Sequence, residues 1–456
     1  MRSIRIGSGA GTALDIVEPA IDILKKGDLD YLCFECLAER TLAMANIEKF
    51  HDSTKGYNTV LDDRMGRIFD TMKTMDREKW PKIISNMGAA NPIGCVERLV
   101  QLARERGMGG IKIAAVTGDN VFAKIDKFLD KPTMETGIKL EEYKENIVSA
   151  NAYIGAAGII EALNNGADIV ITGRCADPTL FLAPAIFEFG WSMDDWDKIA
   201  SGTIAGHLME CSSMVTGGYF ADPEYGKISE ELWNIAFPIE IIYENGEVDI
   251  TKIDGSGGVV NTMTVKEQLG YEVNNPMRYL TPDVVCDFSN LEVEQIDKDI
   301  VHVKGGKGHP KTGTYKLNVG YRDGYIGEAE TMYGGLTCVS RAKIALEYIQ
   351  KRLDISGVEY TDVKHDIMGI NSLFGDKLAS EWTGGETKYA EIRIRTAIRT
   401  KDRQNAEKVY REYEILPMSG PGGGGGFRGY VKEVLSVVSV LIDAAEVDIN
   451  IDYMEV

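Results

Sequence analysis

Five times in the first 200 residues a short apolar run (4–6, 31–35, 83–86, 111–116 and 168–172) gives way to a loop rich in Gly, Asn, Asp and Thr. Each loop is followed by a stretch long enough for a helix. Strands that alternate with helical segments cannot form hairpins with one another, so the pattern predicts a parallel sheet with helices on both faces. In such a sheet the strand-to-helix loops gather at the carboxyl edge, where α/β proteins bind ligands. The loops GSGAGT, CLAERT, MGAANP, TGDN and GRCADPT are therefore expected to wall one shared cleft.

From about residue 236 the pattern changes. PIEIIYENGEVDIT, DIVHVKG and TYKLNVGYRDGYIGEAETM read as antiparallel strands joined by short turns, followed by the helix SRAKIALEYIQKRL, the strand YAEIRIRTAIR and the helix DRQNAEKVYREYEIL. A chain of 456 residues exceeds what one core usually holds. The expected organisation is an α/β domain over 1–235 that carries the cleft and a smaller α+β domain over 236–456 that covers it. A Gly-rich loop at 420–426, too short for a linker, is expected at the mouth of the site.

Acidic residues outnumber basic ones by 70 to 50, a net charge of -20, and no long basic stretch interrupts the excess. Such a chain is a poor ligand for nucleic acid or an anionic membrane. No apolar run reaches the roughly 18 residues of a membrane span, and a cytoplasmic protein is expected. The seven cysteines are odd in number and scattered, which predicts reduced thiols. Cys33 and Cys36 form a C-x-x-C, but with no second pair nearby they do not make a zinc ribbon.

Within the cleft, residue types suggest roles. Gly7, Gly9 and Gly11 stand between the first strand and a helix, where glycine lets backbone N–H groups approach an anion. The spacing is G-x-G-x-G rather than the dinucleotide fingerprint G-x-G-x-x-G, although Glu35 ends the next strand, where a ribose-binding acid would sit. Glu35 and Glu39 are four apart. On a helix they share a face, and one carboxylate can raise the other's pKa to make a proton shuttle. Asn86, Asn91, Thr117 and Asp119 recur after successive strands and can orient a substrate, though each is also an ordinary turn or N-cap residue.

The loop ADIVITGRCADPTL raises a sharper question. A turn needs Gly173 and Pro178 but has no need of a charge of each sign. Arg174 is expected to hold a substrate carboxylate and Asp177 to face the cleft with it, the competing role being an internal ion pair or a helix cap. His207, Glu210 and Cys211 lie at i, i+3 and i+4 of a helix. With five histidines and no H-x-x-x-H pair, His207 is expected to serve as an acid/base rather than as a metal ligand, and no metal is expected. Lys266 and Arg278 follow a second glycine turn and could close over an anionic group.

GSGAG, DLDYLCFECLAERT, NMGAANP, AAVTGDN, ADIVITGRCADPTLFLAP, GHLMECSSMVTGGYFADP, TVKEQLGYEVNNPMRYLTPDV, VGYRDGYIGEAE and GPGGGGG, taken in order, resemble the acyclic terpene utilisation AtuA-like family. The resemblance covers nearly the whole chain. It implies a catabolic enzyme acting on a carboxylated or coenzyme A-linked acid, in the company of acyl-CoA carboxylase subunits and enoyl-CoA hydratase-like enzymes. It carries no residue role. Family members can bear a further small ferredoxin-like domain, here expected to be absent or encoded separately.

The reading that joins residues and resemblance is acid/base chemistry on an acyl-CoA or a branched, terpenoid carboxylic acid, by hydration, dehydration or carbon–carbon cleavage. Glu35 or Glu39 would shuttle the proton and His207 would assist. No cofactor is expected beyond a coenzyme A thioester in the substrate. The expected partners are the small-molecule substrate, a second copy in a homo-oligomer, and an acyl-CoA carboxylase or separate ferredoxin-like subunit. Two other classes stay open: a non-catalytic carboxylase subunit or scaffold, and a nicotinamide-dependent oxidoreductase suggested by Gly7, Gly9, Gly11 and Glu35.

Overall fold

The computed structural model describes residues 1–383 and 389–456. Its strands are β1 (Ser3–Ala10), β2 (Tyr31–Phe34), β3 (Lys82–Ser85), β4 (Lys112–Thr117), β5 (Ile147–Ala152), β6 (Ile169–Thr172), β7 (Ile239–Tyr243), β8 (Val248–Thr251) and β9 (Tyr279–Leu280). They continue with β10 (Val285–Asp287), β11 (Glu292–Asp297), β12 (Ile300–Lys304), β13 (Lys307–His309), β14 (Thr314–Gly334), β15 (Asp362–Met368), β16 (Glu391–Thr400), β17 (Gly424–Asp443) and β18 (Asn450–Glu455). The helices of the first half are α1 (Glu18–Lys26), α2 (Glu39–His51), α3 (Leu61–Met72), α4 (Pro92–Glu105), α5 (Ala157–Asn164), α6 (Thr179–Phe189) and α7 (Trp196–Glu210). Those of the second half are α8 (Thr262–Gly270), α9 (Cys338–Ile355), α10 (Gly375–Thr383), α11 (Arg403–Glu414) and α12 (Leu416–Ser419).

The five apolar runs become the parallel centre of a ten-stranded sheet, in the order β1-β2-β3-β6-β4. Alternation assigns their faces. Leu32, Phe34, Ile83, Ile113, Ala115, Ile169 and Ile171 join one core with residues of α1, α3 and α4. Cys33 points the other way, its Sγ donating to the carbonyl oxygen of Leu180 in α6 at 3.3 Å, and a Cβ on Gly158 of α5 would meet Val116 of β4. Helices thus cover both faces, as the sequence pattern predicts.

The strands expected to open a second domain instead continue this sheet. β7 pairs antiparallel with β1, followed outward by β8, β12 and β11, while β18 covers β4 at the far edge. The physical reason is the exposed edge of β1, whose unpaired N–H and C=O groups need a partner. The two compact units are therefore residues 1–320 with 437–456, and residues 321–436, not 1–235 and 236–456.

The second unit runs β14-α9-β15-α10-β16-α11-α12-β17, with sheet order β15-β16-β14-β17, the split βαβ arrangement of ferredoxin-like modules. Ile392, Ile394 and Ile398 of β16 turn their side chains to a core shared with α9 and α11, whereas Arg393, Arg395 and Arg399 occupy the opposite face. The glycine tract is not a loose loop. Gly424 to Gly426 open β17, Arg341 Nη1 donates to the Gly422 carbonyl at 2.7 Å, and Thr331 Oγ1 donates to that of Gly425 at 3.0 Å. Among the described residues no helix is long and apolar enough to cross a membrane.

Candidate active site

The loops after β2, β3, β4 and β6 converge as predicted, and hydrogen bonds tie them to one another. Glu35 follows the last residue of β2. Its Oε1 accepts from the main-chain N–H of Leu37 at 2.8 Å and from Asn86 Nδ2 at 2.9 Å, and Asn86 Oδ1 in turn accepts from Cys36 N at 2.7 Å. Asp119 Oδ2 accepts from Arg174 N at 3.0 Å and from Asn151 Nδ2 at 2.8 Å. Glu35 and Glu39 do not share a helix face, because α2 begins only at Glu39.

Arg174 is the centre of the cluster. Its guanidinium is 1 % exposed, donates to the carbonyl oxygens of Leu37 and Cys175 and to the carboxylate of Asp177, and lies 4.5 Å over the Tyr153 ring. A guanidinium so fully engaged is not free to take a substrate carboxylate, which corrects the role expected for it. Gly173 precedes it because a Cβ there would stand 2.5 Å from Asp119 Oδ1. Asp177 keeps 35 % of its side chain open toward a deep pocket.

That pocket, of ≈ 240 Å³, lies between the loop after β6 and the segments 272–282 and 312–316. Met134, Ala176, Pro178, Leu280, Pro282 and Leu441 make its apolar wall. Glu39, Asp177, Glu272 and Lys316 bring its charges, with Tyr153 among its hydroxyls. Tyr153 donates its hydroxyl to Glu39, whose Oε1 also accepts from Lys316 Nζ at 3.2 Å, and the Lys316 ammonium stands 4.9 Å from the Tyr153 ring centroid. Asp283 fastens the far wall, accepting from Ala156 N at 3.0 Å and Thr179 Oγ1 at 3.2 Å.

These contacts separate the carboxyls electrostatically. Burial, reinforced by the nearby charge of Asp177, pushes Glu35 up to about 8 against the opposing pull of Arg174. Burial also raises Asp177, with Arg174 opposing and Glu39 adding to the rise. Burial would raise Glu39 as well, but the Tyr153 hydroxyl and the Lys316 cation outweigh it and hold Glu39 down to about 2. Glu39 is therefore held as an anion, and the two carboxyls that are raised are Glu35 and Asp177 rather than Glu35 and Glu39.

His207 and Glu210, three apart and so on one face of the helix, meet with Nδ1 and Oε1 2.7 Å apart in the buried C-terminal half of α7. Gly206 allows this helix to close on the loop, since a Cβ there would lie 2.4 Å from the Pro178 carbonyl oxygen. The His207 ring packs 5.4 Å from that of Tyr279, a pocket residue, so the dyad stands one layer behind the wall. Burial pushes Glu210 up to about 7 against the pull of His207. Burial lowers His207 but its carboxylate partner outweighs this, leaving it raised. Among the described residues, His207 Nε2 and Glu210 Oε2 have no hydrogen-bond partner.

Other expected site residues have different uses. Gly7 and Gly9 lie inside β1, where a Cβ would stand 2.7 Å from Leu29 Cδ1 and 2.4 Å from the Phe34 ring respectively. Gly11 abuts the main chain of Cys211. The helix that follows starts only at Glu18, with an acid in its first turn, so these glycines serve close packing and form no phosphate loop. Asn91 caps α4 and holds the carbonyls of Ser53 and Lys55. Thr117 bonds the strand β18. Lys266 and Arg278 are exposed and line none of this pocket. The seven cysteines are free thiols, and among the described residues no group of three or more His, Cys, Asp or Glu is placed to hold a metal ion.

Sequence reasoning missed Tyr153, Lys316, Asn151 and Tyr279. A signal existed for one of them: Lys316 and Asn318 alternate with Tyr315, Leu317 and Val319 at the start of β14, hence share one face. Both reach Glu39, Asn318 Nδ2 donating to its carbonyl at 3.4 Å. No curated protein and no solved structure matches this chain. A family model, described as acyclic terpene utilisation family protein AtuA, matches residues 4–453, a span that includes every strand-end loop and both walls of the pocket. The chain belongs to the AtuA family of acyclic terpene utilisation.

Proposed function

We propose that the chain is a catabolic enzyme that moves a proton on a branched carboxylic acid or its acyl thioester, by hydration, dehydration or carbon–carbon cleavage. The observation that carries this reading is the charge balance around Asp177. One buried cation, Arg174, faces two carboxyls, Glu35 and Asp177, and can neutralise one of them; the other retains a proton near neutral pH. Asp177 is the member of the pair open to the pocket and transfers the proton, while Glu35, enclosed behind it, sets its affinity.

The remaining groups fit the same chemistry. Lys316 carries three donors and gives one to Glu39, which leaves it able to hold a substrate carboxylate or a developing oxyanion. The apolar wall suits a methyl-branched chain. His207 and Glu210 act as positioning residues through Tyr279.

The test is turnover of a panel of branched hydroxy acids, unsaturated acids and their coenzyme A thioesters, followed by mass spectrometry for gain or loss of water or for cleavage. The expected result is activity on one member that is lost in Asp177→Asn and a raised KM in Lys316→Met. Unchanged turnover in Asp177→Asn contradicts the assignment.

A further inference from the structure

A second pocket opens at the carboxyl edge of the same sheet, above the ends of β1, β2 and β3 rather than beside β6. It has a volume of ≈ 160 Å³ and is lined chiefly by Ala13, Leu14, Leu37, Met44, Ala45 and Ala89. Three of the polar residues that reach it are engaged within the protein, and Glu48, Tyr57 and Thr59 complete the lining. Asn58 donates to the Ala13 carbonyl and accepts from Val60 N, Thr41 Oγ1 is exchanged with Ala38, and Cys36 Sγ accepts from Arg64 Nη1 at 2.9 Å. Glu48 brings a carboxylate to the lining, so an anion is disfavoured, and the mainly apolar remainder favours a hydrocarbon group.

Two further observations point to an occupant. Leu14 and Met44 stand at the mouth with 71 % and 48 % of their surface exposed, an apolar rim around an apolar hole. In the floor, Ala89 adopts φ 44°, a left-handed conformation that glycine accepts freely and alanine does not, yet a methyl group is kept there, buried against Leu37, Leu42 and Ala45.

We propose that this pocket is a second ligand site, distinct from the acid/base pocket, that takes a small, uncharged, branched hydrocarbon group. Leu37 links the two. Its side chain lines the apolar pocket, its N–H is held by Glu35 and its carbonyl oxygen by Arg174, so a ligand seated against Leu37 bears on the main chain that positions both. The binding itself does not depend on the reaction assigned to Asp177.

The experiment is a titration of the full-length protein, labelled with methyl-13C methionine, with 3-methylbutan-1-ol, the Met44 signal being identified by its loss in Met44→Leu. The expected result is a saturable shift of Met44. Leu14→Glu, at an exposed position that cannot threaten the fold, and Ala45→Leu, which fills the floor, should each weaken binding by about tenfold or more. Lys316→Met, in the other pocket, should leave it unchanged, and the anion 3-methylbutanoate should bind markedly more weakly. Absence of a saturable Met44 shift overturns the proposal. So does binding that survives Leu14→Glu, is lost in Lys316→Met, or is as tight for the anion as for the alcohol.

Discussion

Asp177 is paired with Arg174, three residues before it on the same loop, and the guanidinium in turn holds the carbonyl oxygens of Leu37 and Cys175. One buried cation thus joins the loop after β6 to the loop after β2 and fixes the only pocket-facing member of the Glu35–Asp177 pair. The arrangement makes Arg174 a positioning residue, and the cation that meets the pocket is Lys316.

Arg174→Lys keeps the charge but cannot reproduce the three divergent contacts of a planar guanidinium. The expected loss is about 2–4 kcal/mol of stability, the cost of leaving buried carbonyls unpaired, read as a lower urea midpoint with an unchanged slope. An unaltered midpoint would show that the loops hold together without it.

Glu35→Gln tests the raised carboxyl through stability. A carboxyl raised in the folded state binds protons more tightly than in the unfolded chain. Its contribution is therefore fully present below the ordinary value of 4.5 and is lost as pH rises through about 8. Glutamine can still accept from Asn86 and Leu37 N but does not titrate. Stability of the variant should be flatter than wild type between these values and should exceed it at pH 8; a parallel pair of curves would place the proton elsewhere.

Glu39→Gln carries the opposite sign. Glu39 is held down to about 2, so its contribution is present above 4.5 and is lost as pH falls toward 2. The variant should melt below wild type at pH 7 and converge with it in acid, measured by thermal denaturation across that range.

Gly9→Ala separates packing from anion binding. The added methyl would meet the Phe34 ring inside β1, an overpacking cost of about 1–3 kcal/mol. Thermal denaturation should show the loss, and fluorescence titration with NADH should show no binding by wild type to be lost. Tight NADH binding abolished by the substitution would restore the dinucleotide reading.

The parallel centre of the sheet was legible because buried strands and their polar loops alternate with a strong period, and convergence of Glu35, Asn86, Asp119 and Arg174 follows from that topology alone. The unit boundary was not legible. Ile239 and Ile241 alternate as they would in any antiparallel strand, and nothing local says that β1 is the partner. The glycines of β1 misled for a related reason: G-x-G marks close approach, and here what approaches is Leu29 and Phe34 rather than a phosphate. Which charge pairs with which was likewise settled by three-dimensional neighbours, since Glu39 finds its cation 277 residues away at Lys316.

The most direct test of the shared proton is a titration of the Glu35 carboxyl carbon by NMR, in protein labelled with 13Cδ glutamate and with the signal assigned by its loss in Glu35→Gln. The account predicts a midpoint of about 8 in wild type, and a lower one in Asp177→Asn, where the neighbouring negative charge is gone. A Glu35 midpoint near 4.5, or one that Asp177→Asn does not lower, would contradict it.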